Sequence, residues 1–206
     1  KVGTGTFSFD YVAEGIRIDG LELSVPGFHN IENALAAVAI AVHYGLSKEA
    51  IIEGIATYRG VKRRFEKICT NEHIIYIDDY AHHPEEIKAF LLSIRAMYPD
   101  KKVTAVFQPH LFTRTRDFAE GFSESLSIAD TVILLDIYPA RELPIEGITS
   151  EILLPGITSP NKSVVEKDKL LDHLEQHKPE VLVTIGAGDI DRLVKPIEKW
   201  IKNDKA

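Results

Sequence analysis

Residues 78–86, with the sequence DDYAHHPEE, crowd two carboxylates, two imidazoles and a phenol between an apolar run and a proline. Such a group of side chains is typical of a metal site, a catalytic loop or the ordinary start of a helix. Pro84 at the first helical position and the two glutamates after it suit a helix start, because they match the helix geometry and its dipole. A helix start does not explain why Asp79, Tyr80 and His82 occupy these positions. The stretch therefore predicts a catalytic or binding loop.

A metal site is the weaker of the two functional interpretations. His82 and His83 are adjacent, so their side chains point apart in a loop between a strand and a helix. Neither an HExxH pair nor a cysteine pair accompanies them in the sequence. We therefore predict no metal ligand in this loop. A metal-dependent hydrolase built on Asp78, Asp79, His82 and His83 stays open as an alternative.

Two further segments bear on nucleotide binding. His29, Asn30 and Asn33 place a ring and two carboxamides at the start of a predicted helix, which suits the N6 and N7 edge of adenine, although Asn30 alone would also serve as an N-cap. The turn at Gly186–Asp189 lacks the third glycine of a dinucleotide fingerprint and the later acidic residue, so it predicts a tight turn with close packing. The sequence contains no GxxxxGKS or GxxxxGKT phosphate loop, which excludes a self-contained ATPase.

The composition limits the partners and the compartment. The chain has 206 residues, a net charge of −7 and a pI near 5.6, and its only tight basic cluster is Lys62–Arg64, so we expect no nucleic acid as a partner. A single cysteine, Cys69, cannot form an internal disulfide and indicates a reducing, cytoplasmic setting. The longest apolar run, Ala34–Val42, is too short for a membrane span of about 20 residues. The start at Lys1, inside a strand-like pattern, predicts a fragment of a longer protein.

The elements that carry these side chains change character near residue 60. Before it, two strand patterns at Phe7–Ala13 and Ile16–Val25 precede a helix with apolar residues at three- and four-residue spacing and a second helix at Ser47–Thr57, with Ser47 as N-cap. After it, strands and helices alternate. The predicted strands are Phe65–Thr70, Ile74–Asp78, Val103–Phe107, Thr131–Leu135, Ser163–Val165 and Val181–Ile185, and the predicted helices are Pro84–Met97, Thr115–Leu126, Lys167–Glu175 and Asp189–Ile201.

Three of these strands, VTAVF, TVILL and VLVTI, are almost continuously apolar, which is typical of parallel strands covered on both faces. We therefore predict an α/β fold with a Rossmann-like, doubly wound, mostly parallel sheet. Such sheets bind ligands beyond the carboxyl ends of their strands. Polar segments follow four predicted strands, at 78–83, 108–110, 136–141 and 186–189, so we expect these segments to meet at one edge of the sheet.

The same segments resemble the Mur ligases. PGFHNIENALAA, GVKRRFE, IDDYAHHPEE, FQPHLFTRTRDF, LLDIYPARELPIEGITS and TIGAGDI occur in the order and approximate spacing of that family and cover essentially the whole chain. The resemblance implies a Rossmann-like C-terminal domain at residues 62–206, which binds the amino acid and closes over the site. It also implies that residues 1–61 are the C-terminal remnant of the central ATP-binding domain, whose P-loop this sequence lacks.

A reaction is implied as well, because the QPHLFTRTRDF and YPARELPIEG segments are similar to those of the family member that adds L-alanine. In that reaction the carboxylate of UDP-N-acetylmuramate attacks the γ-phosphate of ATP to give an acyl phosphate. The amino group of L-alanine then attacks the carbonyl, forming an amide for peptidoglycan synthesis. The implied ligands are UDP-N-acetylmuramate, L-alanine and ATP, with Mg²⁺ held mainly by the central domain. Because the reacting groups repel one another, positioning and positive charge would carry the catalysis.

Matching position by position, the resemblance implies a set of site residues. Those near ATP are His29, Asn30, Asn33, Arg64 and Asp79. Those around the incoming alanine and the acyl phosphate are Tyr80, His82, His110 and Arg114. Three are implied to be catalytic: Arg64 reaches toward the phosphates, Asp79 supports the ribose or the closed state, and His82 hydrogen-bonds a developing oxyanion.

One position departs from the family, because many relatives carry arginine where this sequence has Leu111. The alanine carboxylate would then rely on Arg114, or on Arg116 or Arg141. The fragment alone is expected to be inactive. Two other interpretations stay open besides the hydrolase: a stand-alone nucleotide-binding module without catalysis, and the related ligase that attaches a murein tripeptide. The sequence leaves the oligomeric state undetermined.

Overall fold

The computed structural model describes residues 2–3, 6–25 and 27–203 of the chain. Its first part is a three-stranded antiparallel sheet in the order β1 (Val2–Gly3), β2 (Thr6–Ala13) and β3 (Ile16–Leu23). Strands β2 and β3 form the predicted hairpin, and Gly15 lies in its turn at φ 75°, a left-handed conformation that glycine adopts without strain. The second strand of the hairpin ends at Leu23, slightly before the predicted Val25.

Two helices, α1 (Phe28–His43) and α2 (Lys48–Thr57), pack against this sheet. Ser47 caps α2 as predicted, since its Oγ accepts a hydrogen bond from the backbone N–H of Ala50 at 3.2 Å. The interpretation of Asn30 as the N-cap of α1 is wrong. The N-cap is Gly27, whose φ of 115° starts the helix earlier and leaves Asn30 inside the first turn.

The larger part of the chain forms a six-stranded sheet with helices between the strands. In chain order the elements are β4 (Glu66–Thr70), β5 (Ile75–Asp79), α3 (Pro84–Met97), β6 (Val103–Phe107), α4 (Phe112–Asp117), α5 (Ala119–Leu126), β7 (Thr131–Leu134), a 3₁₀ helix (Ser150–Gly156), β8 (Asn161–Val164), a short 3₁₀ turn (Lys167–Lys169), α6 (Leu170–His177), β9 (Val181–Ile185) and α7 (Asp191–Asn203).

The order of strands across this sheet is β4-β5-β9-β6-β7-β8. Strand β4 is antiparallel to β5, and all other neighbours are parallel. The predicted mostly parallel, doubly wound α/β sheet is therefore confirmed. Strand β9 comes last along the described chain but lies between β5 and β6. The helices before and after β9, α6 and α7, lie on one face of the sheet, whereas α3 and α5, which follow β5 and β6, lie on the other face.

Each face of the sheet has its own apolar core. One core joins α3 and α5 to the sheet through residues such as Ile87, Leu91 and Phe122, and the other joins α6 and α7 to it through residues such as Leu174 and Ile197. Every residue of β5, β6 and β9 is buried, which explains why β6 and β9 each contain four apolar residues out of five. Each fully buried aliphatic or aromatic side chain contributes about 1.5–3 kcal/mol.

Several predicted boundaries are wrong, each for a local reason. The helix predicted at Thr115–Leu126 is two helices, because Phe118 leaves the helical region at φ −115° and ψ 19°. The helix predicted at Lys167–Glu175 starts as a 3₁₀ turn and becomes α-helical only at Leu170. The strand predicted at Ser163–Val165 begins earlier, at Asn161, where it pairs with Thr131 of β7.

The two sheets share part of one core. Phe7 of β2 is 1% exposed and packs in the same cluster as Phe65 and Phe90 of the larger sheet. Its ring also meets that of Phe28 edge to face, with centroids 5.3 Å apart. Over the described residues, none of the helices combines the length and apolar character that crossing a membrane requires.

Candidate functional site

The carboxylate of Asp79, at the end of β5, clamps two segments of backbone together. Its Oδ2 accepts a hydrogen bond from the N–H of Phe65 at 2.6 Å, and its Oδ1 accepts one from the N–H of Ala81 at 2.8 Å. The side chain is buried, and burial raises its pKa to about 6, against the opposing effects of the two N–H donors and of the Arg64 charge. Asp79 thus joins the segment before β4 to the loop after β5.

Arg63 makes a second connection at the same place, and sequence reasoning missed it. Its Nε donates to Oδ2 of Asp78 at 3.1 Å, and its Nη2 donates to the carbonyl of Gly186 at 2.5 Å. The other oxygen of Asp78 accepts a hydrogen bond from Thr184 at 2.6 Å. Burial raises the pKa of Asp78, while the Thr184 hydroxyl and the Arg63 charge oppose that rise. Arg63 therefore holds the ends of β5 and β9 together.

Tyr80 forms a platform for both arginines of the RR pair. The guanidinium carbons of Arg63 and Arg64 lie 5.1 and 5.6 Å from the centre of its ring, within range of a cation–π interaction. The N–H of Tyr80 also donates to the carbonyl of Arg63 at 2.7 Å. Arg64 is exposed, and within the described part of the chain its guanidinium has no ion-pair partner among the carboxylates. Its charge is thus available to an anion outside the protein.

His82 lies at the centre of this surface. Its Nδ1 is 3.1 Å from the carbonyl of Tyr80 and 3.4 Å from Oε2 of Glu86, so the proton of the neutral ring belongs on Nδ1. Nε2 then carries a lone pair and accepts, so His82 donates from Nε2 to an oxyanion, as the resemblance implies, only when its ring is protonated. His83 is directed elsewhere, against the ring of Phe118 at 4.9 Å. In the ranges 2–3, 6–25 and 27–203, no group of three or more histidine, cysteine or acidic side chains is arranged to hold a metal ion.

His110 and Arg114 carry the clearest sign of a missing ligand. His110 follows β6 and stacks on Tyr138, with ring centroids 5.7 Å apart and 6.3 Å from the ring of His82. Nδ1 of His110 and Nη1 of Arg114 are both buried without a hydrogen-bond partner among the described residues. Burial lowers the pKa of His110, and the charge of Arg114 lowers it further, so the ring is neutral at neutral pH. An unsatisfied buried guanidinium N–H is costly, and a carboxylate would satisfy Nη1 of Arg114. Nδ1 of His110 donates to the same carboxylate in the tautomer that carries the ring proton on Nδ1.

The arginines considered as substitutes for the family arginine at Leu111 differ in their surroundings. Arg114 is partly buried with one free N–H group, whereas Arg116 is exposed and pairs with Asp117 at 2.7 Å. Arg141 is exposed. Of these three arginines, Arg114 is the one with a buried guanidinium nitrogen that has no hydrogen-bond partner among the described residues.

The loop after β9 completes the edge of the sheet. Gly186 has φ 146°, and a Cβ there would lie 2.7 Å from the carbonyl oxygen of Gln108. A Cβ on Gly188 would lie 2.6 Å from Cβ of Tyr138. Gln108, which is 1% exposed, donates to Asp189 at 2.8 Å and accepts from the N–H of Ile190 at 2.8 Å. The tight turn with close packing that the sequence predicts is present, and the four polar loops meet as predicted.

The structure brings together one subset of the predicted site residues, which we call the rim cluster. Its members are Arg64, Asp79, Tyr80, His82, His110 and Arg114. Asn30 and Asn33 belong instead to α1, where they line a cavity of about 430 Å³ with aliphatic residues of α1, α2 and β3. The side chain of His29 lies outside the described residues.

Comparison with known proteins shows which protein family this chain is similar to. Residues 63–188 match the family model described as "Mur ligase, glutamate ligase domain". The chain is similar to UDP-N-acetylmuramate–L-alanine ligases of Flavobacterium johnsoniae, at 48% identity over 99% of this chain and 45% of the relative, and of Phocaeicola vulgatus, at 52% over 96% and 43%. It also resembles the crystal structure of UDP-N-acetylmuramate-alanine ligase MurC of Thermotoga maritima, with 27% identity and a TM-score of 0.82 over 99% of this chain and 45% of that one. The chain spans less than half the length of these relatives, and it belongs to the Mur ligase family.

Proposed function

We propose that this chain is part of an ATP-dependent ligase that joins L-alanine to the carboxylate of UDP-N-acetylmuramate in peptidoglycan synthesis. The observation that carries the proposal is the buried, unpartnered N–H of Arg114 beside His110, in a chain 48% identical over 99% of its length to a ligase of that name. An amino acid brings a carboxylate that would accept from Nη1 of Arg114 and from Nδ1 of His110 in the tautomer protonated there. The reaction would proceed through an acyl phosphate, which the amino group of alanine then attacks.

The proposal includes a division of the chain. Residues 1–61 would be the C-terminal remnant of the central ATP-binding domain, and residues 62–206 would be the domain that binds the amino acid and closes over the site. The separate hydrogen bonding of the small antiparallel sheet and the six-stranded sheet supports this division. Arg63, Arg64 and Phe65 lie at the junction, where Arg63 and Phe65 adopt positive φ angles of 59° and 50°.

Within the rim cluster, charge and position would do most of the work. Arg114 and His110 would fix the alanine carboxylate, because a guanidinium fork matches the two carboxylate oxygens. His82, whose ring is 6.3 Å from that of His110, would face the reacting carbonyl from the neighbouring loop. Arg64, held over Tyr80, would place its charge near the phosphates and reduce the repulsion between the reacting anions.

Asp79 would act through the backbone. Both of its oxygens are engaged by the N–H groups of Phe65 and Ala81, so it holds the junction segment against the loop of Tyr80 and His82. We assign it to stabilising the closed arrangement. Holding catalytic groups within a fraction of an ångström of their working position is worth as much as direct contact.

The residues present fit ATP in part and do not fit Mg²⁺. The carboxamides of Asn30 and Asn33 border an otherwise aliphatic cavity, which is the chemistry that the polar edge and apolar faces of a purine require. His29, whose side chain lies outside the described residues, stays part of this proposed adenine site.

For Mg²⁺, the oxygens of Asp78 and Asp79 are already occupied by Arg63, Thr184 and backbone N–H groups. We therefore derive no step through the metal, and the same geometry argues against a metal-dependent hydrolase.

The test is amino-acid-dependent release of ADP by the full-length ligase that this proposal assumes. We expect release to require both UDP-N-acetylmuramate and L-alanine, and we expect the 206-residue chain alone to form no amide bond. Murein tripeptide in place of L-alanine tests the related tripeptide ligase, and ATP binding without turnover tests the stand-alone module. Absence of alanine-dependent ADP release from the full-length protein would refute the proposal.

A further inference from the structure

Glu142, in the loop after β7, is fastened to the first turn of α4. Its Oε2 accepts a hydrogen bond from the backbone N–H of Thr113 at 3.0 Å, and its Oε1 accepts one from the Thr113 hydroxyl. These two donations lower the pKa of Glu142, the hydroxyl contributing most. A carboxylate that receives both donors of a single residue fixes that residue in position and direction.

The turn that Glu142 holds is strained. Leu111, the N-cap of α4, has φ 72° and ψ 133°, a conformation that side-chain-bearing residues avoid. Such a conformation persists only when surrounding contacts enforce it. Three do so here: the N–H of Leu111 donates to the carbonyl of Tyr138 at 2.9 Å, the carbonyl of Leu111 accepts from the Thr115 hydroxyl at 2.7 Å, and Glu142 holds Thr113.

The strained turn lies between the two groups that lack partners. His110 immediately precedes Leu111, and Arg114 immediately follows Thr113, so their directions depend on how α4 begins. Among the buried side-chain nitrogen and oxygen atoms of the described residues, Nδ1 of His110 and Nη1 of Arg114 are the two without a hydrogen bond. If the first turn of α4 relaxed, these two atoms would no longer converge on one ligand. The negative charge of Glu142 also acts on His110: it raises the pKa of that ring, whereas the charge of Arg114 lowers it.

We propose that Glu142 is a positioning residue for recognition of the amino-acid carboxylate, acting through Thr113 on the directions of His110 and Arg114. This inference rests on the ligase function proposed above. It extends that function by assigning a role to Glu142 in the loop after β7, whose Tyr138 already stacks on His110. Glu142 itself need not touch the substrate.

The experiment measures steady-state kinetics of the full-length ligase with the substitution Glu142→Gln. Glutamine is nearly isosteric but carries no charge and has one acceptor instead of two. We expect the KM for L-alanine to rise by about tenfold, with the KM for ATP and for UDP-N-acetylmuramate unchanged, because only uniform binding of the amino acid is weakened. A merely structural role would lower the thermal midpoint and affect all three substrates alike.

Four further variants complete the design. Glu146→Gln, at an exposed position of the same loop, is the matched control and should leave all constants unchanged. Thr113→Val removes only the hydroxyl donor and should raise the KM for L-alanine in the same direction, whereas Thr113→Ser should restore it. In the double variant of Glu142→Gln with Thr113→Val, the two effects should be less than additive.

The outcomes separate the two proposals. One outcome is that the unaltered ligase turns over in the presence of alanine while neither Glu142→Gln nor Thr113→Val changes the KM for L-alanine. That result would overturn the inference and leave the proposed function standing. No alanine-dependent turnover in the unaltered ligase would overturn the proposed function, and the inference with it. A selective rise in the KM for L-alanine, absent in Glu146→Gln, would support both.

Discussion

Replacing Asp79 with asparagine should change how the stability of this chain depends on pH. Burial raises the pKa of Asp79 from an ordinary value of 3.8 to about 6 in the folded protein. The folded state therefore binds the proton more tightly than the unfolded state does between these two values. Since stability falls with pH wherever the folded state holds more protons, the contribution of Asp79 is favourable below about pH 4 and is lost as the pH rises to about 6.

The size of this effect follows from the two pKa values. They differ by about 2, and each pKa unit corresponds to about 1.4 kcal/mol, so the free energy of unfolding should lose about 3 kcal/mol across the window. Asparagine cannot ionise, and it offers one acceptor oxygen to the N–H groups of Phe65 and Ala81 instead of two. The lost hydrogen bond lowers the free energy of unfolding of the asparagine variant by about 1–3 kcal/mol, and this loss is the same at every pH.

The assay is urea unfolding of the unaltered chain and of Asp79→Asn at several pH values between about 4 and 7. The difference between the two free energies should shift by about 3 kcal/mol in favour of the variant as the pH rises. Asp100→Asn, in an exposed turn, controls for the loss of one formal charge. A difference that is flat, or that shifts in favour of the unaltered chain as the pH rises, would refute the argument that burial dominates at this carboxyl.

Three other substitutions test the arrangement around the rim cluster. Arg63→Ala should lower the free energy of unfolding by about 3 kcal/mol in urea titrations, because it leaves the buried carboxylate of Asp78 without its charge partner; an equal loss in an Asp78→Asn background would contradict this. Arg64→Ala should leave unfolding almost unchanged and reduce turnover of the full-length ligase by at least about tenfold, and retained turnover would remove Arg64 from the site. Gly188→Ala should lower stability by about 1–3 kcal/mol, since the added methyl group meets Tyr138, and an unchanged thermal midpoint would show that the loop yields.

The elements that could be predicted are those whose residues face a single kind of environment. The strands VTAVF and VLVTI are buried at every position, and their almost continuously apolar sequences reflect it. The cap at Ser47 depends on one hydroxyl and one nearby N–H, so local sequence is sufficient. The meeting of four polar loops follows from parallel strands alone. The sheet and the edge where the polar loops meet are therefore accessible from the sequence.

The features that escaped prediction depend on backbone conformation or on distant partners. Arg63 and Arg64 are the same residue type and both lie over Tyr80, but Arg63, at a positive φ, also reaches inward to Asp78, whereas Arg64 is exposed. Glu142 is one acidic residue in a polar loop, and nothing local indicates that it reaches Thr113. Asn30 had the right type for a cap, but Gly27 began the helix first.

The position of β9 has a consequence for synthesis of the protein on the ribosome. This strand supplies the middle of the sheet, between β5 and β6, yet it is translated after both of them. Until Val181–Ile185 leaves the ribosome, the nascent chain holds strands with unpaired inner edges, which are prone to associate with other chains. The carbonyl of Gly186, which receives Arg63, arrives only with the same segment. A nascent chain thus completes the edge that carries the rim cluster in one late step, and the pairing of the inner strand edges comes with it.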